Sequence, residues 1–295
     1  MKQEVLFETV KSGDLAEVIR LIEEGVDINE RDDIGRTALE MTLLQRHPEI
    51  TKLLIEAGAD VNTQSRTGWT ALIIAAFYGC IEIVKMLIDK KVDVNAQTAR
   101  GDTALMNASQ DIEITKLLIE AKADVGAQNT YGITALMGAS ALGHPEVAKL
   151  LIEEGADVNA RDKKGLTALM HNTITRRKTS RGQLEVAKLL LEEGADVNAK
   201  DNNGTTTLMN ASTWGYTEIA QLLVKEGADI DAQSKEGLTA LMAASDRGYT
   251  EIAKLLVEVK ADINSRDKEG FTALMFAEKN GNKEIVKLLK EAGAK

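Results

Sequence analysis

The chain has 295 residues and a formal net charge of −10, with 44% hydrophobic, 28% charged and only 3% aromatic residues. This composition fits a soluble folded protein with a core of Ala, Leu, Ile and Val, and its acidity argues against non-specific binding to nucleic acid or an anionic membrane. The one cysteine, Cys80, allows no intrachain disulfide and points to a reducing, cytoplasmic setting; residues 1–11 lack the apolar core of a secretory signal, and the longest apolar run, 71–78, is far too short to span a membrane.

The string Gly-x-Thr-Ala-Leu begins at Gly35, Gly68, Gly101, Gly132, Gly165, Gly237 and Gly270, and Gly204 opens the variant Gly-Thr-Thr-Thr-Leu. Successive steps are 33, 33, 31, 33, 39, 33 and 33 residues. A period near 33 predicts stacked supersecondary units in place of one globular core.

In chain order, residues 1–34 form a degenerate first unit. Leu6, Phe7 and Val10, then Leu15, Val18, Ile19, Leu21 and Ile22, give two short helical patterns, followed by Asp27-Ile28-Asn29. The unit 68–96 shows the full pattern. Gly68 supplies a positive φ to close a turn, and the Thr70 hydroxyl caps a helix over 71–76 that ends at Gly79. A second helix carries Ile81, Ile83, Val84, Leu87 and Ile88 at helical spacing, and Asp93-Val94-Asn95 leads to the next turn. The unit 101–131 is two residues short around Gln110-Asp111, which predicts a trimmed connection between its helices. Six residues are gained between His171 and Gly182. Ile55, Ile88, Ile119, Ile152, Leu191, Val224 and Val257 share one second-helix position, where the final unit has Lys290; a charge there suits a capping repeat.

This pattern resembles the ankyrin repeat, a β-turn followed by two antiparallel helices, over essentially the whole chain. The most specific strings are Gly-Ala-Asp-Val-Asn at 58–62, 155–159 and 194–198. Where the family usually has Thr-Pro-Leu-His, this chain has Thr-Ala-Leu-Met from Thr103, Thr134, Thr167, Thr239 and Thr272. Lys91, Lys122 and Lys260 replace the usual glycine after the second helix, and a left-handed backbone at those sites would cost about 1 kcal/mol each. The expected fold is an all-α ankyrin solenoid of about nine units in a single domain, 1–295. Residues 1–34 and 270–295 are read as caps and 35–269 as internal repeats.

The resemblance implies that partners touch the concave face. It is lined by the two residues before each turn glycine, the residue after it, and the two residues before the inter-helix glycine. Six of the ten aromatics fall in such positions, namely Trp69, Phe77, Tyr78, Tyr131, Trp214 and Phe271. Exposed apolar clusters of this kind mark interaction sites. Trp69, Phe77 and Tyr78 are expected to anchor a partner, with Tyr131, Ile133 and Leu142 supporting them on the order of 20 Å away, and Trp214 a further contact. Tyr216 and Tyr249, after inter-helix glycines, read as structural, and Phe7 and Phe276, on first helices, as core.

The gained segment carries Arg176, Arg177, Lys178, Thr179 and Arg181. It reads either as a loop for an acidic partner or a regulatory site, or as a solvated polar loop. No zinc spacing and no phosphate loop appears in the sequence. His47 and His144 recur in His-Pro-Glu, where proline suits a first helical turn. The resemblance also makes Asn62, Asn159 and Asn198 candidate targets of an asparaginyl hydroxylase, although the string they sit in is the fold's own consensus. The reading is therefore a monomeric protein-binding module without cofactor, metal or enzymatic activity, and its partner is a protein. An inhibitory subunit, or a secreted effector acting inside a host cell, would share these features.

Overall fold

A computed structural model describes residues 2–174 and 181–294. These residues form eighteen helices and no strand, and they fall into two compact units, 1–135 and 136–295. The first unit contains α1 (Lys2–Ser12), α2 (Leu15–Glu23), α3 (Ala38–Gln45), α4 (Pro48–Glu56), α5 (Ala71–Phe77), α6 (Ile81–Asp89), α7 (Ala104–Asn107) and α8 (Ile112–Glu120). Odd-numbered helices stack as α1, α3, α5 and α7, and even-numbered ones as α2, α4, α6 and α8.

The second unit starts within α9 (Ala135–Leu142) and continues through α10 (Pro145–Glu153), α11 (Ala168–His171), α12 (Arg181–Glu192), α13 (Thr207–Trp214) and α14 (Thr217–Lys225). It ends with α15 (Ala240–Arg247), α16 (Thr250–Glu258), α17 (Ala273–Lys279) and α18 (Lys283–Glu291). Here α11, α13, α15 and α17 stack in one row and α10, α12, α14, α16 and α18 in the other.

Seven of the first helices open on a threonine whose hydroxyl accepts the N–H three residues on. Thr37, Thr70, Thr103, Thr167, Thr206, Thr239 and Thr272 all do so, satisfying an N–H that the helix leaves unpaired. Seven of the turns before first helices are closed by a short polar side chain. Asp32 Oδ1 accepts from the Ile34 and Arg36 N–H groups, and Asp162, Asp201 and Asp267 repeat the arrangement. Thr98, Asn129 and Ser234 do the same with a hydroxyl or amide oxygen. These are Asx and Ser/Thr turns.

Backbone bonds tie successive turn tips together. The Ala99 N–H reaches the Thr67 carbonyl at 2.9 Å and the Thr130 N–H the Arg100 carbonyl at 2.8 Å, and in the second unit the Lys235 N–H reaches the Asn203 carbonyl at 2.7 Å. A second bond joins the loops after the second helices. Asn29, Asn95, Asn159 and Asn198 each accept, through Oδ1, the N–H of the aspartate one repeat on. The Asn95, Asn159 and Asn198 amides also donate to a carbonyl of that next repeat. Asp231 keeps the acceptor, taking the Asp262 N–H at 2.7 Å, but as a carboxylate it has no donor to return.

The irregular units differ from expectation in one respect. The two-residue deletion removes the last turn of a first helix as well as trimming the connection: α7 has 4 residues where α5 has 7. Asp111 compensates by capping α8 with its carboxylate, accepting from Glu113 and Ile114. At the gained segment, α11 is also shortened to 4 residues. Asn172 is buried there and donates to the Ser140 carbonyl, and Gln183 donates to the Asn172 carbonyl. Gly182 lies so close to the Gly143 carbonyl that a Cβ would come within 2.1 Å of it.

Phe7 is buried as expected. Phe276 is not core: it is half-buried, packed on Phe271 at a centroid distance of 5.5 Å. Tyr216 is 2% exposed, and the Tyr249 ring covers Gly215, where a Cβ would meet it at 2.3 Å. His47 covers Gly13 in the same way. Lys290 is exposed and pairs with Glu278 at 2.8 Å.

Lys91, Lys122 and Lys260 adopt φ of 58°, 70° and 66°, the left-handed region that costs a residue with a Cβ. Lys91→Gly, Lys122→Gly and Lys260→Gly are each expected to raise unfolding stability by about 1 kcal/mol, read from urea denaturation midpoints. Unchanged or lowered midpoints would mean that the lysine stems pack well enough to offset the strain.

Candidate functional site

Trp69, Phe77 and Tyr78 come together in the first unit. Trp69 follows the turn glycine before α5, Phe77 ends α5 and Tyr78 is its C-cap. The Phe77 ring meets Trp69 edge-on at 6.0 Å and Tyr78 at 5.1 Å, with interplanar angles of 86° and 79°. Edge-to-face contacts of this kind orient aromatic rings without burying them. Phe77 is still 46% exposed.

These rings form one side of an open groove of about 580 Å³, completed by Ile34, Leu44, Ile74 and Arg66. Ile34 is 54% exposed and Leu44 also exposed, so the groove is an apolar surface left uncovered. Ile34 precedes a turn glycine and Leu44 lies two residues before Arg46, which occupies an inter-helix glycine position. Both sit in the positions that the repeat pattern marks, and counting aliphatic residues alongside aromatic ones would have found them.

The charges around the groove are ordered. Arg36 donates to Asp32 Oδ2 through Nε at 2.9 Å and Nη2 at 2.7 Å. Burial pushes the Asp32 carboxyl up, but the Arg36 N–H, its guanidinium and the Ile34 N–H outweigh this and hold it below the usual carboxylate range. The Arg46 guanidinium lies over the Tyr78 ring at 4.8 Å, a cation–π contact. Arg46 has φ of 61°.

Glu40 forms part of the groove floor and is 0% exposed. The Glu40 N–H donates to Thr37 Oγ1, half of a capping box, and the Thr37 backbone N–H favours the ionised carboxyl. Thr63 Oγ1 donates to Glu40 Oε1 at 3.3 Å, whereas Oε2 has no hydrogen-bond partner. Burial pushes the Glu40 carboxyl above its ordinary range, against the pull of these donors and of Arg31. The repeat pattern marks Glu40 only as the single glutamate at a first-helix position that holds Met or Ile in the other aligned repeats, a signal the aromatic positions alone do not give.

The remaining expected residues lie elsewhere. Tyr131 is 54% exposed and Ile133 half-buried on a different turn of the first unit, where their N–H groups bond Asn129 Oδ1; neither lines the groove. Leu142 and Trp214, both half-buried, end α9 and α13 of the second unit. Arg176, Arg177, Lys178 and Thr179 lie outside the described residues. Arg181 is described: its side chain is 93% exposed and pairs with Glu185 at 2.8 Å.

Other chemistry-bearing groups serve the fold. His171 Nε2 meets Asp162 Oδ2 at 3.1 Å. Burial pushes the His171 imidazole below its usual range, with Asp162 opposing. Burial likewise pushes the Cys80 thiol up, away from thiolate reactivity. Among the described residues no cluster of His, Cys, Asp and Glu could hold a metal ion, and no helix is long and apolar enough to cross a membrane.

A sequence profile described as "Ankyrin repeats (3 copies)" matches residues 6–98, 92–162, 159–234 and 208–295. The chain belongs to the ankyrin repeat family. No curated protein sequence matches it closely. Ankyrin repeats are in general protein–protein interaction modules and typically carry no catalysis.

Because burial raises the Glu40 pKa, its charge opposes folding above the ordinary carboxylate range, and this cost vanishes in acid as both states become protonated. Glu40→Gln keeps an oxygen for Thr37 and Thr63 and removes the charge. Thermal melts should show Glu40→Gln more stable than wild type at neutral pH, with the difference shrinking toward about pH 4. A variant less stable at neutral pH would show that ionised Glu40 is well compensated.

Proposed function

We propose that this chain binds a partner protein through the groove around Trp69, Phe77 and Tyr78, and that it acts by binding and not by catalysis. The observation that carries this reading is the assembly of three aromatic and two exposed aliphatic side chains into one open apolar surface. Leaving such a cluster in water is unfavourable, and uncovered clusters of this kind mark docking sites. Trp and Tyr are also the residues that most often dominate interface energies.

The scaffold suits the role. The turn tips are joined by backbone hydrogen bonds and the rings are held by contacts with each other, so binding orders few groups that were free before. Tyr131 and Ile133 in the first unit, and Leu142 and Trp214 in the second, occupy the same family positions and are further candidate contacts. The basic residues from Arg176 to Arg181 are a separate candidate contact.

The test is affinity capture from cell lysate with wild type and the triple variant Trp69→Ala/Phe77→Ala/Tyr78→Ala, each confirmed folded by circular dichroism. The expected result is a protein retained by wild type and lost with the variant. Equal capture by both would remove the groove from the reading and move attention to the basic segment.

A further inference from the structure

We propose that the groove of the first unit takes a short acidic segment of its partner, with one large apolar side chain seated against Trp69, Phe77 and Tyr78 and flanking carboxylates paired with Arg46 and Arg66. This rests on the groove reading above and adds the chemistry of what fills it.

Arg46 and Arg66 are both exposed beside the aromatic cluster: Arg66 lines the groove, and Arg46 lies just outside it against the Tyr78 ring. Among the described residues neither has a carboxylate within ion-pairing distance, although Asp and Glu outnumber Lys and Arg by 46 to 36. Arg36, which lines the groove with Arg66, is already committed to Asp32. A chain with surplus acid thus leaves two guanidiniums without a carboxylate partner next to this aromatic cluster.

Both guanidiniums are also held in place. Arg46 rests on the Tyr78 ring at 4.8 Å. Arg66 donates from Nη2 to the Asp33 carbonyl at 3.2 Å and lies across Gly35, where a Cβ would meet its Nε at 3.2 Å. A planar guanidinium fixed in this way presents its remaining N–H donors to a carboxylate with little further loss of freedom.

The floor selects in the opposite sense. Buried Glu40, with Oε2 unpaired, makes the deep part of the groove hostile to a second carboxylate, so acidic side chains belong at the rim and an apolar one inside. The volume of about 580 Å³ lies within the usual range of about 300–1,000 Å³ for ligand sites. The net charge of −10 repels an acidic partner at a distance, but salt screens that field beyond about 8 Å, leaving contact pairs to decide.

The test uses three fluorescently labelled pools of peptides of about ten residues, each with a central Phe, Leu or Trp. The flanks are Asp/Glu in the first pool, Ser/Gly in the second and Lys/Arg in the third. Fluorescence anisotropy with the full chain should show the acidic pool binding at least about tenfold more tightly than the neutral pool, and the basic pool weakest.

Arg46→Gly with Arg66→Gln, which leaves the left-handed site at position 46 unstrained, should abolish the preference for acid. Phe77→Ala should weaken the acidic and neutral pools alike. If the neutral pool binds as tightly as the acidic one and Phe77→Ala weakens both, the acidic partner is wrong while the groove stands. If the acidic pool binds but Phe77→Ala leaves it unchanged, the groove reading fails as well. Failure of the acidic pool to bind overturns the proposal.

Discussion

Ala71, Leu72 and Ala75 on α5 are at most 1% exposed, yet the helix has only 7 residues, far below the length at which an isolated helix holds together in water. Its stability is supplied by neighbours: α3 on one side and α7 on the other, with α6 antiparallel behind it. The same dependence recurs along both units, and it explains the residue choices. Alanine at the start of most first helices permits close approach, and leucine beside it fills the layer between repeats. Threonine caps the helix without adding bulk.

Stacking of this kind needs register, and polar groups supply it. The turn-tip backbone bonds and the asparagine bridges both run from one repeat to the next, so where both are made a repeat aligns its successor at two separated points. Glycines add a third alignment where a neighbour's side chain covers them, as His47 does over Gly13 and Tyr249 over Gly215. The function proposed for the first unit follows from the same geometry. Once the helices are occupied in burying one another and the polar turn residues in closing the turns, the remaining side chains at the turn ends have no structural duty. An apolar residue there is free to serve a partner. Trp69, Phe77, Ile34 and Leu44 are such residues, whereas Tyr216, one position past an inter-helix glycine, is consumed by the fold.

Much of this was legible in the sequence, because a repeat states the same physical requirement many times. The Gly-x-Thr-Ala-Leu string marked the turn, the cap and the start of the helix together, and the left-handed lysines stood out against glycine at equivalent positions. Features made by contact between repeats were harder to read. Asp32 and its counterparts at the turns look like ordinary loop polarity until their bonds are seen. The shortening of α7 was read as a trimmed loop because sequence does not say which side of a deletion yields. The meeting of Trp69, Phe77 and Tyr78 was visible from their positions. The closure of the groove by Ile34 and Leu44 comes from the preceding repeat, and Glu40 beneath it breaks the repeat pattern only once.

The claim on which the account turns is that the aromatic cluster is surface and the Thr-Ala-Leu layer is core. Urea unfolding of Phe77→Ala beside Leu72→Ala tests it directly. Phe77 is the larger side chain, yet its half-exposed ring should cost about 1 kcal/mol on truncation. Leu72, 1% exposed, should cost about 2–5 kcal/mol. A Phe77→Ala loss equal to or greater than that of Leu72→Ala would make the ring part of the core and contradict the account.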